Sequence, residues 1–133
     1  MTTRISEYMD HVVHTLTPDV DIYEAVNFLL DNHVTSAPVI NESNEVLGLL
    51  SEKDCLKLLA LGDANEPPSG KVEDFMSTDV TSIPPRMDIY FAAGLFLKET
   101  GRRLLVVEEN KLVGAITRFD ILRAIRDHMK VED

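Results

Sequence analysis

The chain has 133 residues, of which 44% are hydrophobic, so it is long and apolar enough for one compact domain or for two small repeats that share a core. Its formal net charge is -10, and the sequence has no extended cluster of basic residues, which argues against nucleic acid or an anionic membrane as a partner. No apolar run is long enough for a membrane-spanning helix. The single cysteine, Cys55, excludes an internal disulfide, and the N-terminus lacks the apolar segment of a secretory signal, so we expect a cytoplasmic protein.

The first half of the chain predicts a lead-in turn, an extended segment, a helix, two strands joined by a hairpin, and a second helix. Asp21 is a typical N-cap for the first helix, with Glu24 at the capping-box position. Ser51 caps the second helix, in which we expect Leu56, Leu59 and Ala60 to face inward. The predicted elements are the turn Ile5–Met9, the extended segment Val12–Leu16, the helix Asp21–His33, the strands Ala37–Ile40 and Val46–Leu50 with the turn Asn41–Glu45 between them, and the helix after Ser51.

The second half predicts the same order of elements, because its residues repeat those of the first half at a nearly constant spacing. The matched pairs include Pro18 with Pro85, Tyr23 with Tyr90, Val39 with Val106, Gly48 with Gly114, Ser51 with Thr117, and Asp54 with Asp120. The predicted elements are the turn Val72–Met76, the extended segment Val80–Ile83, the helix Asp88–Thr100 closed by Gly101, the strands Leu104–Val107 and Leu112–Ile116, and the helix Arg118–His128. We therefore divide the chain into a first repeat of residues 1–61, a polar linker of residues 62–70 that is rich in glycine and proline, and a second repeat of residues 71–133.

The junction between the last strand and the last helix carries the same three groups in both halves, namely a glycine, a hydroxyl and an aspartate. A helix N-terminus presents unpaired N–H groups and the positive end of the helix dipole, so Ser51 and Thr117 are placed where a phosphate oxygen can bind. Asp54 and Asp120 follow one turn later, and a carboxylate there can accept the two hydrogen bonds of a ribose cis-diol. The same pattern is also an ordinary helix cap, and one aspartate can serve both roles.

The paired β-α-β-β-α halves, each with Gly-x-x-[Ser/Thr]-x-x-Asp at this junction, resemble a CBS pair, or Bateman module, a family named for cystathionine β-synthase. The resemblance covers roughly Ile5–Leu59 and Val72–His128 and includes the Met9 and Met76 pair and Ala37-Pro38-Val39. It implies an α+β fold of tandem CBS repeats packed with pseudo-twofold symmetry through their sheets. It also implies a non-catalytic regulatory module that binds AMP, ADP, ATP or a related adenosyl ligand, with or without Mg²⁺, and requires no other cofactor. The implied partners are a second copy of the chain and a separate enzyme or transporter.

Two ligand sites in the cleft between the repeats are implied by the resemblance, with Asp120 on the ribose and Thr117 and Arg118 on the phosphate of the first. The residues of that site are Thr117, Arg118, Asp120, His14, Val34, Thr35, Ser36 and Ala37. The residues of the mirror site are Ser51, Asp54, Thr81, Gly101, Arg102, Arg103 and Leu104. Because Arg118 follows Thr117 whereas Glu52 follows Ser51, we expect the site with Asp120 to bind phosphate more strongly.

Neither a catalytic constellation nor metal-ligand spacing is present in the sequence, which also lacks a P-loop, so an enzyme is not expected. The main alternative is a structural dimerisation or adaptor module whose pockets are vestigial, which Glu52 and the altered wall at Leu104-Leu105 favour. A nucleotide-processing enzyme is a third hypothesis. Cys55 matches Ile121 of the other half, so we expect it to be a small core residue.

Overall fold

The computed structural model describes residues 3–62, 65–98 and 103–129, and the chain divides into two compact units. The N-unit runs from His14 to Val80, and the C-unit combines the residues up to Val13 with those from Thr81 onward. Both units mix helices with antiparallel strands, which confirms the α+β class and the repetition of elements. None of the described helices is long and apolar enough to cross a membrane.

The N-unit is built around a hairpin of two strands packed against short helices. Its elements are α1 (Ile22–Asp31), β1 (Ser36–Ile40), β2 (Val46–Ser51), α2 (Glu52–Cys55), α3 (Lys57–Ala60) and α4 (Val72–Phe75). Asp21 begins α1 as predicted, since its carboxylate accepts the backbone N–H groups of Tyr23 and Glu24. The turn between the strands is held by Asn41, whose side-chain oxygen accepts the N–H groups of Ser43 and Glu45.

The C-unit repeats this plan with a third strand. It begins with a 3-10 turn (Ile5–Glu7) and continues with β3 (Ser82–Ile83), α5 (Ile89–Lys98), β4 (Arg103–Glu108), β5 (Lys111–Thr117) and α6 (Arg118–Met129). The strand order is β3-β4-β5, with β3 parallel to β4 and β4 antiparallel to β5. Of the predicted extended segment Val12–Leu16, only Leu16 forms a bridge, to Val39 in the N-unit.

The lead-in turn of each sequence repeat belongs to the unit that holds the rest of the other repeat. Ile5 is fully buried in the core of the C-unit, and its N–H donates to the carbonyl of Met87 at 2.9 Å. Val72 is fully buried in the core of the N-unit, and its N–H donates to the carbonyl of Val20 at 2.8 Å. The compact units are therefore not the sequence repeats, although each contains one complete set of the repeated elements.

The inward orientation predicted for Leu56, Leu59 and Ala60 is wrong. All three are exposed, and Leu58 packs against the N-unit core instead, because the predicted single helix is broken at Leu56 into α2 and α3. Leu30 on α1 is 67% exposed, and Leu97, its equivalent on α5, is 90% exposed. Helical spacing therefore predicted which positions are apolar, but not which of these side chains are buried in the core.

Candidate ligand-binding site

The junction of β5 and α6 in the C-unit holds its aspartate in a closed capping box. The N–H and the hydroxyl of Thr117 both donate to Oδ2 of Asp120, at 2.8 and 3.1 Å. The N–H of Asp120 donates in return to Oγ1 of Thr117 at 3.3 Å. The Asp120 side chain is only 13% exposed, so these contacts fix its rotamer.

The junction of β2 and α2 in the N-unit has the same geometry. The N–H and the hydroxyl of Ser51 donate to Oδ2 of Asp54 at 2.9 and 3.0 Å, and the N–H of Asp54 donates to Oγ of Ser51 at 3.2 Å. The capping role predicted for the Ser/Thr-x-x-Asp pattern is thus confirmed in both units. In each unit Oδ2 is used by the cap, which leaves Oδ1 as the oxygen with acceptor capacity for another donor.

Sequence reasoning missed a cation beside each aspartate. Nη2 of Arg123 lies 3.0 Å from Oδ1 of Asp120, and Nζ of Lys57 lies 3.7 Å from Oδ1 of Asp54. The signal was present, because both cations follow their aspartate by one helical turn and occupy equivalent positions in the two halves. A carboxylate oxygen has two lone pairs, so each Oδ1 can accept a second hydrogen bond beside its cation.

Arg123 also joins Asp120 to the N-terminal turn of the C-unit. Its Nη2 donates to the carbonyl of Tyr8 at 2.9 Å, and its guanidinium lies 5.7 Å from the centre of the Tyr8 ring. The Tyr8 hydroxyl donates to Oδ2 of Asp127 at 2.7 Å. This hydrogen bond is the main cause that raises the pKa of Tyr8, with a smaller contribution from burial.

The two glycines of the repeated motif allow another segment of the backbone to pack directly against the last strand of each unit. A Cβ on Gly114 would lie 2.7 Å from the carbonyl oxygen of Asp10 and 2.9 Å from Sδ of Met9. A Cβ on Gly48 would meet Ser77 and Met76 in the same way, at 2.7 and 2.8 Å. The repeated glycine and methionine therefore form one packing unit, in which the lead-in chain crosses directly over the last strand.

The remaining predicted site residues are distributed over both units. In the N-unit, the N–H of Glu52 donates to the carbonyl of Thr35 at 2.8 Å, and Ser36 and Ala37 lie opposite Ser51 and Leu50 in the ladder. These strand residues therefore lie beside Ser51, although the resemblance assigned them to the site of Asp120. Their sharing of a site with Asp120 stays a prediction, as it does for His14 and Val34, which also belong to the N-unit.

The C-unit holds the described residues of the predicted mirror site apart from Ser51 and Asp54. Arg103 lies opposite Thr117 and Leu104 opposite Ile116 in the ladder of β4 and β5, and Thr81 precedes β3. Burial lowers the pKa of Arg103, and Asp10 acts against this shift. Gly101 and Arg102 lie outside the described residues. Arg103 is thus placed in the same unit as Asp120.

Among the described residues, no three His, Cys, Asp or Glu side chains are grouped so that they could hold a metal ion. Cys55 is half-buried against the N-unit core rather than fully inside it. Burial, with a smaller effect of the neighbouring Asp54, raises the pKa of its thiol. A thiol that keeps its proton is a weak nucleophile, which fits a packing role for Cys55.

The chain is similar in sequence and in structure to known proteins. The model of the CBS domain family matches residues 5–61 and 72–127. The uncharacterized protein MJ1225 of Methanocaldococcus jannaschii is 33% identical over 122 residues, which are 91% of this chain but only 42% of that protein. CBS domain-containing protein YhcV of Bacillus subtilis is 30% identical over 118 residues, 88% of this chain and 81% of that one. The crystal structure of CBSX2 of Arabidopsis thaliana in complex with AMP is 25% identical with a TM-score of 0.79, over 98% of both chains.

Proposed function

Because the chain belongs to the CBS domain family, we propose that it is a non-catalytic regulatory module that binds an adenine nucleotide, namely AMP, ADP, ATP or a related adenosyl ligand. The observation that carries this proposal is the closed hydroxyl–aspartate pair at the start of α6, repeated at the start of α2. The complex of CBSX2 with AMP supports the ligand class. A cytoplasmic location and a regulated enzyme or transporter as partner belong to the same proposal.

Asp120 is proposed to accept a hydroxyl of the ribose at Oδ1. The cap fixes the carboxylate before the ligand arrives, so little side-chain entropy is lost on binding. Thr117 and Arg118 stand at the N-terminus of α6, a helix of 12 residues whose positive end attracts a phosphate. Arg103 lies opposite Thr117 in the ladder, so we propose it as a second cation at this site, although the resemblance assigned it to the mirror site.

The site of Asp54 is proposed to be the weaker of the two. Its helix α2 has only four residues and begins with Glu52, whose carboxylate would repel a phosphate bound beside Ser51. Ser36 stands opposite Ser51, where the C-unit has Arg103 opposite Thr117. This difference in local charge between the two junctions supports the proposed ranking of the two sites.

Titration of the purified protein with AMP, ADP and ATP by calorimetry tests the proposal. We expect saturable binding of at least one of them, and a rise in melting temperature with concentration, since a ligand that binds only the folded state stabilises it by about 2.7 kcal/mol at a hundredfold excess over Kd. Adenosine analogues with other 5′ groups extend the series to related adenosyl ligands. Absence of heat and of any thermal shift at millimolar ligand would contradict nucleotide binding.

A structural or adaptor module is the second candidate, and the caps favour it. Without a ligand, both carboxylate oxygens of each aspartate already have a partner, the cap at Oδ2 and a cation at Oδ1, as an ordinary cap would. Under this hypothesis the melting temperature does not respond to any nucleotide, while self-association stays tight. The titration above therefore separates the two candidates.

A homodimer is proposed from apolar side chains that are exposed at equivalent positions of both units. Several apolar side chains exposed at equivalent positions offer more apolar surface to a second copy than a single exposed leucine, which needs no explanation. The matched pairs are Tyr23 with Tyr90, Leu30 with Leu97, Leu56 with Leu122, and Leu59 with Ile125. The α5–α6 side of the C-unit adds an apolar groove of about 230 Å³ between Ile89 and Ile125.

Replacing Leu30 and Leu97 together by aspartate is expected to convert the dimer to a monomer, because burying two carboxylates in an apolar contact is strongly unfavourable. Light scattering coupled to size-exclusion chromatography measures the mass. Val12→Asp is the control, since Val12 is 76% exposed but has no exposed apolar equivalent in the set. A double variant that stays dimeric, or a wild type that is monomeric at high concentration, would refute this interface.

A further inference from the structure

The contacts around Arg123 differ between the two units in a way that the repeat does not explain. Arg123, Tyr8 and Asp127 of the C-unit correspond in the aligned halves to Lys57, Phe75 and Leu61 of the N-unit. Phenylalanine has no hydroxyl and leucine no carboxylate, so the N-unit cannot form the equivalent of the hydrogen bond between Tyr8 and Asp127, and the described contact of Lys57 is its ion pair with Asp54. Among the described residues, a continuous polar chain from the aspartate through its cation to the lead-in turn is therefore found only in the C-unit, where Arg123 contacts both Asp120 and Tyr8.

The polar chain consists of four residues joined by three short contacts, in the order Asp120, Arg123, Tyr8 and Asp127. Nη2 of Arg123 lies 3.0 Å from Oδ1 of Asp120 and 2.9 Å from the carbonyl oxygen of Tyr8. The Tyr8 hydroxyl lies 2.7 Å from Oδ2 of Asp127. One guanidinium nitrogen thus serves both the carboxylate and the turn, with one of its two hydrogens for each.

We infer that Arg123 is a positioning residue that couples the ligand state of Asp120 to the docking of the N-terminal segment, residues 3–10. A ribose hydroxyl that donates to the second lone pair of Oδ1 shares this oxygen with Arg123, and the negative charge that the hydroxyl neutralises is no longer fully available to the guanidinium. Once its contact with Asp120 is weakened, the guanidinium is held less firmly over Tyr8, and the segment docks less tightly. The ligand-dependent part of this inference rests on the proposed nucleotide binding, whereas the link from Asp120 to the segment does not.

The segment has suitable reporters of its docking. The N–H groups of Ile5, Ser6 and Asp10 donate to the carbonyls of Met87, Pro85 and Ala115, so their hydrogen exchange slows only while the segment is docked. These backbone hydrogen bonds do not include any contact of the polar chain through Arg123. A change in their exchange therefore reports docking and not the loss of an Arg123 contact itself.

The test is a double-mutant cycle on the ligand-free protein, read by hydrogen exchange of the reporter amides. Asp120→Asn and Arg123→Met should each speed exchange by about threefold to tenfold, the factor expected for one charged hydrogen bond at a partly exposed site. In the double variant the effects should not add, because both changes break the same link. Tyr8→Phe, which keeps the carbonyl contact and removes the link to Asp127, should give a smaller increase.

The N-unit supplies the matched control. Asp54→Asn removes the equivalent carboxylate charge, and we expect it to leave the exchange of the equivalent lead-in turn, Val72–Phe75, unchanged. Fully additive effects of Asp120→Asn and Arg123→Met, or an equal response of the two turns, would overturn the inference.

The ligand arm uses AMP as the probe. In the wild type, saturating AMP should speed the exchange of the reporter amides, and in Arg123→Met it should leave them unchanged although binding persists. Binding in calorimetry without this difference would overturn the coupling to ligand. Absence of binding would instead refute the proposed function, while the ligand-free cycle would still decide whether Asp120 and the segment are linked.

Discussion

Asp120→Ala is expected to weaken the binding of adenine nucleotide by about tenfold to a hundredfold, because it removes the carboxylate that accepts the ribose and a charged hydrogen bond contributes about 1.5–3 kcal/mol. Asp54→Ala should weaken binding less, since the charge around Ser51 disfavours phosphate. Both variants lose the same capping box, so Asp54→Ala also controls for the structural cost of the cap. Calorimetric Kd values with the ligand that binds the wild type best provide the comparison.

The stability of both variants has to be measured alongside their affinity. Loss of the carboxylate from a capping box costs about 1 kcal/mol of folding stability in either unit. Circular dichroism at the temperature of the titration shows whether each variant is still folded. Equal losses of affinity in Asp54→Ala and Asp120→Ala would contradict the ranking of the two sites.

Gly114→Ala is expected to lower the free energy of unfolding by about 1–3 kcal/mol, the range for overpacking in a closed site. The added Cβ would lie 2.7 Å from the carbonyl oxygen of Asp10, so the lead-in chain would have to move away. That chain is tied to the same strand by the paired hydrogen bonds of Asp10 and Ala115, at 2.8 and 3.0 Å. Movement would therefore lengthen two backbone hydrogen bonds or displace Met9 from the core.

The chain offers a matched control at another glycine. A Cβ on Gly94, in the middle of α5, would have no heavy atom within 4 Å. Gly94→Ala should therefore raise the free energy of unfolding, by up to about 1 kcal/mol, through helix propensity alone. Urea unfolding of the two variants measures the difference in their free energies of unfolding. A Gly114→Ala protein as stable as the wild type would show that the lead-in chain does not pack tightly over β5 at Gly114.

The parts of the fold that were predictable are those set by neighbours in the sequence. Asp21 caps α1 through N–H groups two and three residues away, and Asn41 holds the hairpin turn in the same local way. The caps at Ser51 and Thr117 are equally local, and duplication made them stand out. Such contacts depend on spacing along the chain, which a sequence displays directly.

The parts that were not predictable depend on contacts between distant residues. Spacing gives no sign that Tyr8 receives the guanidinium of Arg123, or that Met9 packs on Gly114 rather than on Gly48. Periodicity marked Leu59 as apolar, but whether it faces the core was decided by the break between α2 and α3. The assignment of residues to the ligand sites came from family resemblance, and it stays a prediction.

The most direct measurement is the affinity of the wild type and of Asp120→Asn for AMP and for its 2′,3′-dideoxy analogue, which lacks both ribose hydroxyls. If Oδ1 of Asp120 accepts a ribose hydroxyl, the wild type should prefer AMP by about tenfold or more, and Asp120→Asn should lose most of that preference. A wild type that binds both ligands equally, or a variant that keeps the full preference, would show that the carboxylate is only a helix cap.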